Sequence, residues 1–155
     1  MKPANLIDLA RRKGAVIATA ESCTGGLISG AITEIPGSSD VFDRGFVTYS
    51  NAAKIEMLGV DPDTIKTFGA VSEEVAQAMA SGALRHSDAT LTVSVTGLAG
   101  PGGSDYKPEG RVCFAIAQNG TAPHVETIDF GPLGRAKVRQ STVSHALNLL
   151  SAALS

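Results

Sequence analysis

Residues 111–130 read RVCFAIAQ, then Asn119-Gly120, then TAPHVETIDF, and no other stretch restricts the fold as tightly. Two strand-like runs separated by a two-residue Asn-Gly predict a β-hairpin closed by a type I′ turn, in which both central residues take positive φ. The chain therefore needs an antiparallel pair near its C-terminus. Pro123 has no N–H to give a ladder, which places the second strand of the hairpin toward a sheet edge.

Upstream, strands and helices alternate. Residues 3–13 carry Leu6, Ile7, Leu9 and Ala10 at helical spacing, and Gly14 is a natural stop. AVIATA (15–20) predicts a buried strand, TGGLISGAITEI (24–35) a helix ended by Pro36-Gly37, and RGFVTYS (44–50) a second strand. A short helix within NAAKIEMLG follows, then a helical turn opened by Pro62 and ended by Gly69. Ser72 is placed to cap the next helix, with Glu73 and Glu74 complementing the dipole of its first turn. ATLTVSVTG (89–97) predicts a third buried strand, GLAGPGGSDYKPEG (97–110) a long glycine-rich loop, and residues 133–152 a closing amphipathic helix. Alternation that ends in a hairpin predicts an α/β fold: a three-layer α/β/α sandwich with a mixed, mostly parallel sheet and a C-terminal β-hairpin. Residues 1–155 read as a single domain, long enough to bury roughly two-thirds of the surface of the unfolded chain.

Several classes of function are set aside by what the chain lacks. A net charge of -2 gives no electrostatic footprint for nucleic acid or an anionic membrane. The first residues, MKPANLIDLARRKG, are charged and contain no apolar signal-peptide core, and no apolar run reaches bilayer length. Cys23 and Cys113 lie in apolar contexts ninety residues apart, which predicts buried free thiols in a reducing cytoplasm. His86, His124 and His145 have no carboxylate or thiol neighbour at useful spacing, so no histidine-based nucleophile site is supported. Zinc-site spacings are absent, and the glycine loops match neither the P-loop nor the dinucleotide fingerprint. The expectation is a cytoplasmic protein with no metal and no cofactor.

In open sheets of this kind ligands bind beyond the carboxyl ends of the strands, and both AESCTGG and GLAGPGG follow strands. Ser22 stands between a strand and a glycine-led helix whose free amides could stabilise an oxyanion or bind phosphate. It reads equally as a helix cap. Cys23 reads as a small buried hydrophobe. With histidine unsupported, a serine nucleophile would need a lysine base, and Lys54 sits in an apolar setting that could lower its pKa. Tyr49 could relay a proton or hold the lysine, or the pair could be an exposed helical lysine beside a core-edge tyrosine. SVTGLAGPGG offers Thr96, Gly97 and Gly100 for close approach to a phosphate or ribose, or is a surface loop. Arg135 and Arg139, four apart on one helix, could clamp a phosphate or simply be solvated.

Taken together, TAESCTGG (19–26), RGFVTYSNAAK (44–54), LGV (58–60), GAVSEEVAQAMA (69–80), SVTGLAGPGG (94–103) and KPEG (107–110) closely resemble the CinA C-terminal domain family, the nicotinamide-nucleotide amidases, in order and spacing. The resemblance implies hydrolysis of the carboxamide of nicotinamide mononucleotide to nicotinic acid mononucleotide and ammonia, without a metal. It also implies the three-layer fold and a homo-oligomer, dimer or trimer. By motif position it implies Ser22 as nucleophile with Tyr49 and Lys54 as its partners, and places Thr24, Gly25, Gly26, Thr96, Gly97 and Gly100 at ligand contacts. Two positions depart from the family pattern. Glu109 stands where the family has a hydrophobic residue, and FGPLGRAKVR (130–139) is one residue longer than F-x-G-D-R-x-x-V-R and lacks its Asp. Arg135 and Arg139 still fall on the arginines of that pattern. Longer relatives carry a second N-terminal hydrolase domain, whose activity is not expected from this chain.

The mechanism expected from these residues is attack by Ser22 on the carboxamide, with Lys54 as base and the amides of the following helix holding the oxyanion. Two other readings stay open: a non-catalytic nucleotide-binding module, and an amidase acting on another carboxamide.

Overall fold

The computed structural model describes residues 2–104 and 106–155. In chain order the elements are α1 (Pro3–Lys13), β1 (Ile17–Glu21), α2 (Leu27–Thr33), a 3₁₀ turn (Ser38–Asp40), β2 (Phe42–Val47), α3 (Asn51–Leu58), α4 (Pro62–Phe68), α5 (Glu73–Arg85), β3 (Leu91–Gly97), β4 (Arg111–Gln118), β5 (Thr121–Asp129) and α6 (Arg135–Leu154). The sheet order is β2-β1-β3-β4-β5. β1 runs parallel to β2 and β3, and β4 runs antiparallel to β3 and β5. This is the mixed sheet that the alternation and the hairpin predict.

Alternating side chains send each strand's two faces to different helical layers. Ile17 of β1 and Leu91, Val93 and Val95 of β3 join Leu6, Ile28 and Leu150 under α1, α2 and α6. On the opposite face Ala20 packs with Leu58, Val75 and Met79, and Ala76 and Ala80 of α5 meet Ala115 and Ala117 of β4. Here small residues let α5 come close to the sheet. The hydroxyls of Thr92 and Ser94 use that proximity, donating to the carbonyls of Ala80 and Ala76. Gly82 takes the same logic furthest: a β-carbon on it would collide with the Leu58 carbonyl, so the end of α3 rests directly on the α5 backbone.

The crossover from β1 to β2 runs through α2 on one face. The crossover from β2 to β3 runs through α3, α4 and α5 on the other. The chain thus turns in opposite directions on leaving β1 and on arriving at β3, which opens a crevice between their carboxyl ends.

The structure differs from the sequence reading in local detail. The helix expected over 24–35 begins only at Leu27, because Gly25 and Gly26 take φ of 57° and 105° and leave residues 22–26 as a turn. β2 ends at Val47, so Tyr49 lies beyond the strand. Asn119-Gly120 does close the hairpin, with Pro123 on the edge strand β5, but only Gly120 has positive φ (76°). The turn is therefore not type I′. The ladder shifts register between Ile116 and Gln118, and this irregularity changes the strand geometry the turn must join. Ser72 caps α5 as expected, accepting from Val75 N at 3.2 Å. Among the described residues no helix is long and apolar enough to cross a membrane.

Candidate active site

β1 delivers two adjacent residues to opposite tasks. Glu21 points toward α2 and is fully buried. Its Oε1 accepts from Thr24 Oγ1 (2.6 Å), Ile28 N (2.9 Å) and Gly26 N (3.2 Å). Its Oε2 accepts from Ser29 Oγ (2.7 Å), Ser29 N (2.9 Å) and Thr19 Oγ1 (3.4 Å). A carboxylate thus occupies the N-terminus of α2 from below, where both the free amides and the helix dipole favour a negative charge.

This corrects two expectations. The amides that open α2 are spent on Glu21, so they are not the oxyanion donors the sequence suggested. Ser22 is not the helix cap either, because Glu21 meets that need. Thr24 is buried with its hydroxyl on Glu21, and its side chain does not reach the crevice. Gly25 and Gly26 face the Arg139 guanidinium and Val47 respectively, outside the crevice lining.

Ser22 faces the crevice, held by its own amide donating to Val95 O at 3.1 Å. Lys54 reaches it from α3, whose start is fixed by Ser50 Oγ accepting from Ala53 N at 3.0 Å. The Lys54 side chain is 1% exposed. Its Nζ lies 3.1 Å from Ser22 Oγ, 3.0 Å from Thr48 O and 3.2 Å from Tyr49 O. Burial holds the Lys54 amine below the usual lysine range, against a smaller opposing pull from Cys23. The three acceptors can take the three N–H bonds of an ammonium, and they also suit the amine once it has lost a proton. Such an amine has two N–H bonds, which two carbonyls can accept, and one lone pair, which can face the serine hydroxyl.

Tyr49 contributes its carbonyl to Lys54 and turns its phenol outward, where Arg135 donates to the hydroxyl at 2.8 Å. Arg135 also donates to Gly100 O at 2.8 Å, tying the Tyr49 segment to the glycine-rich loop. Arg139 separates from Arg135 in role. Its guanidinium donates to Cys23 O (3.1 Å) and Thr24 O (3.2 Å), clamping the Ser22 turn from behind rather than facing the crevice. The expectation of a paired phosphate clamp is corrected for Arg139. Its side chain meets the turn's carbonyls before it could meet a ligand.

The resulting cleft has a volume of about 410 Å³. Ser22, Tyr49, Lys54, Thr96, Gly97, Gly100 and Arg135 of the sequence-predicted set line it. Thr96 Oγ1 donates to Ala70 O at 2.8 Å, so its hydroxyl is already engaged. Cys23 is at the cleft wall with its thiol pushed up to about 11 by burial, which leaves it protonated at neutral pH.

Sequence reasoning missed Asn51, which also lines the cleft, and the role of Glu21. The available signal for Glu21 was a carboxylate ending a strand whose only other polar residue is Thr19, just before a glycine-led helix. The histidine reading also needs correction. Glu126 Oε1 lies 3.3 Å from the Nε2 of both His124, two residues before it on β5, and His145, which α6 brings to it from a distant part of the sequence. Neither histidine lines the cleft. Among the described residues no group of three or more His, Cys, Asp or Glu is arranged to hold a metal ion.

Comparison with known proteins places this geometry in a family. The model of the CinA C-terminal domain matches residues 2–154. A CinA-like protein of Chlorobium phaeobacteroides is 54% identical over 126 residues, covering 79% of this chain and 30% of that protein. A CinA-like protein of Mycobacterium marinum is 49% identical over 140 residues, covering 90% of this chain and 33% of that protein. The chain thus spans about a third of the length of these curated relatives. The crystal structure of a competence/damage inducible protein from Agrobacterium tumefaciens superposes with a TM-score of 0.89 at 49% identity, covering 98% of this chain and 97% of that one.

Proposed function

Because the chain belongs to the CinA C-terminal domain family, we propose that it is an amidohydrolase that deamidates nicotinamide mononucleotide through a Ser22 acyl-enzyme. The observation that carries this reading is the buried Lys54 amine 3.1 Å from Ser22 Oγ, with backbone carbonyls as its other partners. A lysine in that setting is a base for a hydroxyl. A structural lysine would more simply stay in water or pair with a carboxylate.

Ser22 Oγ attacks the carboxamide carbon while its proton passes to Lys54 Nζ. The amides of Cys23 and Thr24, which directly follow the nucleophile, hold the oxyanion in place of those of α2. As the C–N bond breaks, protonated Lys54 returns the proton to the leaving nitrogen, releasing ammonia. Water then attacks the acyl ester with Lys54 again accepting its proton. The acyl C–O bond breaks, Ser22 recovers its hydroxyl, and the carboxylate product leaves. Tyr49 positions Lys54 through its carbonyl, and Arg135 and the 97–103 wall face the ribose phosphate.

The test is ammonia release from nicotinamide mononucleotide, set beside a panel of other carboxamides. Ser22→Ala and Lys54→Ala should each fall by about 10³-fold or more. Activity near wild type in either variant overturns the assignment. Turnover of another carboxamide in preference to the nucleotide keeps the chemistry and replaces the substrate.

A further inference from the structure

The glycine-rich wall of the cleft carries an anion of its own. Glu109, half-buried on the return leg of the 98–110 segment, sends its carboxylate back across the loop. Its Oε1 accepts from Gly102 N at 2.7 Å. A β-carbon on Gly100 would run into the same carboxylate, so Gly100 is the floor on which it rests. On its other side Gly100 is held by Arg135, which donates to its carbonyl. Lys107, two residues before Glu109, does not neutralise it, for its Nζ is committed to the carbonyls of Phe68 and Val71. The carboxylate therefore rests on a backbone amide rather than a cation, in a wall whose Gly100, Gly102 and Gly103 line the cleft.

A backbone N–H in a glycine turn is a donor that a phosphate oxygen takes readily. Here the donor at Gly102 is already engaged by a charged acceptor. A ligand whose anionic group uses this wall must displace Glu109 and then endure its charge nearby. A ligand without that group meets neither cost. We propose that Glu109 is a built-in competitor for the anionic end of the ligand, setting how strongly the cleft discriminates between a phosphorylated carboxamide and its unphosphorylated counterpart. The identity of the ligand pair rests on the amidase reading above; the competition itself does not.

Calorimetry in a Ser22→Ala background, which removes turnover, tests this with nicotinamide mononucleotide and nicotinamide riboside. Glu109→Gln keeps an acceptor without the charge, and Glu109→Leu frees the Gly102 amide altogether. The nucleotide should bind about threefold tighter with Gln and about tenfold tighter with Leu, while riboside affinity stays within about twofold. Equal shifts for both ligands, or unchanged or weaker nucleotide binding, overturn the proposal. If neither ligand binds the parent, the amidase reading has failed on its own account. Inorganic phosphate then decides: tighter phosphate binding on removal of the carboxylate supports the competitor, and unchanged binding overturns it. Should Glu109→Leu misfold by circular dichroism, the Gln variant carries the same comparisons.

Discussion

The two segments that wall the cleft both follow parallel strands, and both are built from glycines and hydroxyls, yet they are opposite in construction. The turn after β1 is closed. Glu21 gathers six hydrogen bonds beneath it, Arg139 clamps two of its carbonyls from behind, and Thr24 is buried. The loop after β3 is open: Pro101, Gly102 and Gly103 are exposed, and it is fastened at a few points by Lys107, Glu109 and Arg135. The two lysines sharpen the contrast. Each gives its Nζ to two backbone carbonyls, but only Lys54 is deeply buried and has a serine hydroxyl as its third partner. Two carbonyl acceptors are common to both lysines; burial and the hydroxyl beside it set Lys54 apart. On the proposed reading, the closed wall would fix the nucleophile and the open wall would meet the part of the ligand beyond the carboxamide.

The largest effect should come from making the closed wall carry a permanent charge. Lys54→Arg keeps a cation that cannot accept a proton at neutral pH, and ammonia release should fall by about 10³-fold. The pH dependence follows from the direction of the Lys54 shift. Its amine must be neutral to act, so kcat/KM should rise with pH through a pKa below the free lysine value of about 10.4. The same shift has a cost in stability. The unfolded chain holds this proton more tightly than the fold does, so stability is reduced below the folded pKa and recovers as pH rises toward the free value. Lys54→Met should accordingly remove this rise of melting temperature with pH in calorimetry while abolishing turnover. An activity limb at or above the free lysine value would break the assignment of Lys54 as base.

Next in size is Glu21→Gln, which places an N–H donor against the amides of α2. About 3 kcal/mol of stability should be lost in denaturant titration. In protein that remains folded, kcat should fall by about 10²-fold with KM changed less than about threefold, because the damage lies in serine placement rather than ligand contact. A fall confined to KM would mean the closed wall is not the rigid partner. Tyr49→Phe keeps the carbonyl that holds Lys54 and removes only the phenol. A loss of about tenfold is expected, and about 10³-fold would instead make the phenol a proton carrier. Smallest of all is Cys23→Ala, which deletes a protonated, buried thiol. Turnover should change by less than about twofold and stability by about 1 kcal/mol.

What the sequence made legible was local. The hairpin, the cap at Ser72 and the strand ends bearing AESCTGG and GLAGPGG follow from turn chemistry and periodicity within a few residues. The geometry of the Asn119-Gly120 turn did not, because the register shift between Ile116 and Gln118 belongs to the pairing of β4 with β5. The site was legible as a list and not as an arrangement. Ser22 and Lys54 lie 32 residues apart, and no spacing rule joins them until α3 is docked. Arg135 and Arg139 share a helix face, but which carbonyls or hydroxyls they meet depends on how α6 lies against two loops. Glu21 reads as an ordinary charged residue at a strand end. Only the packing of a seven-residue helix over it reveals a buried anion with a full complement of donors.

The contact between Gly82 and the Leu58 carbonyl carries a warning for protein engineering. Replacing a helical glycine by alanine is a standard route to a more heat-resistant variant, worth about 1 kcal/mol where the site is open. At position 82 the added methyl would lever the end of α3 off α5. Lys54 sits one turn back along that same helix. The substitution would therefore disturb the seat of Lys54, on the same face of the sheet, along with the packing it was meant to improve.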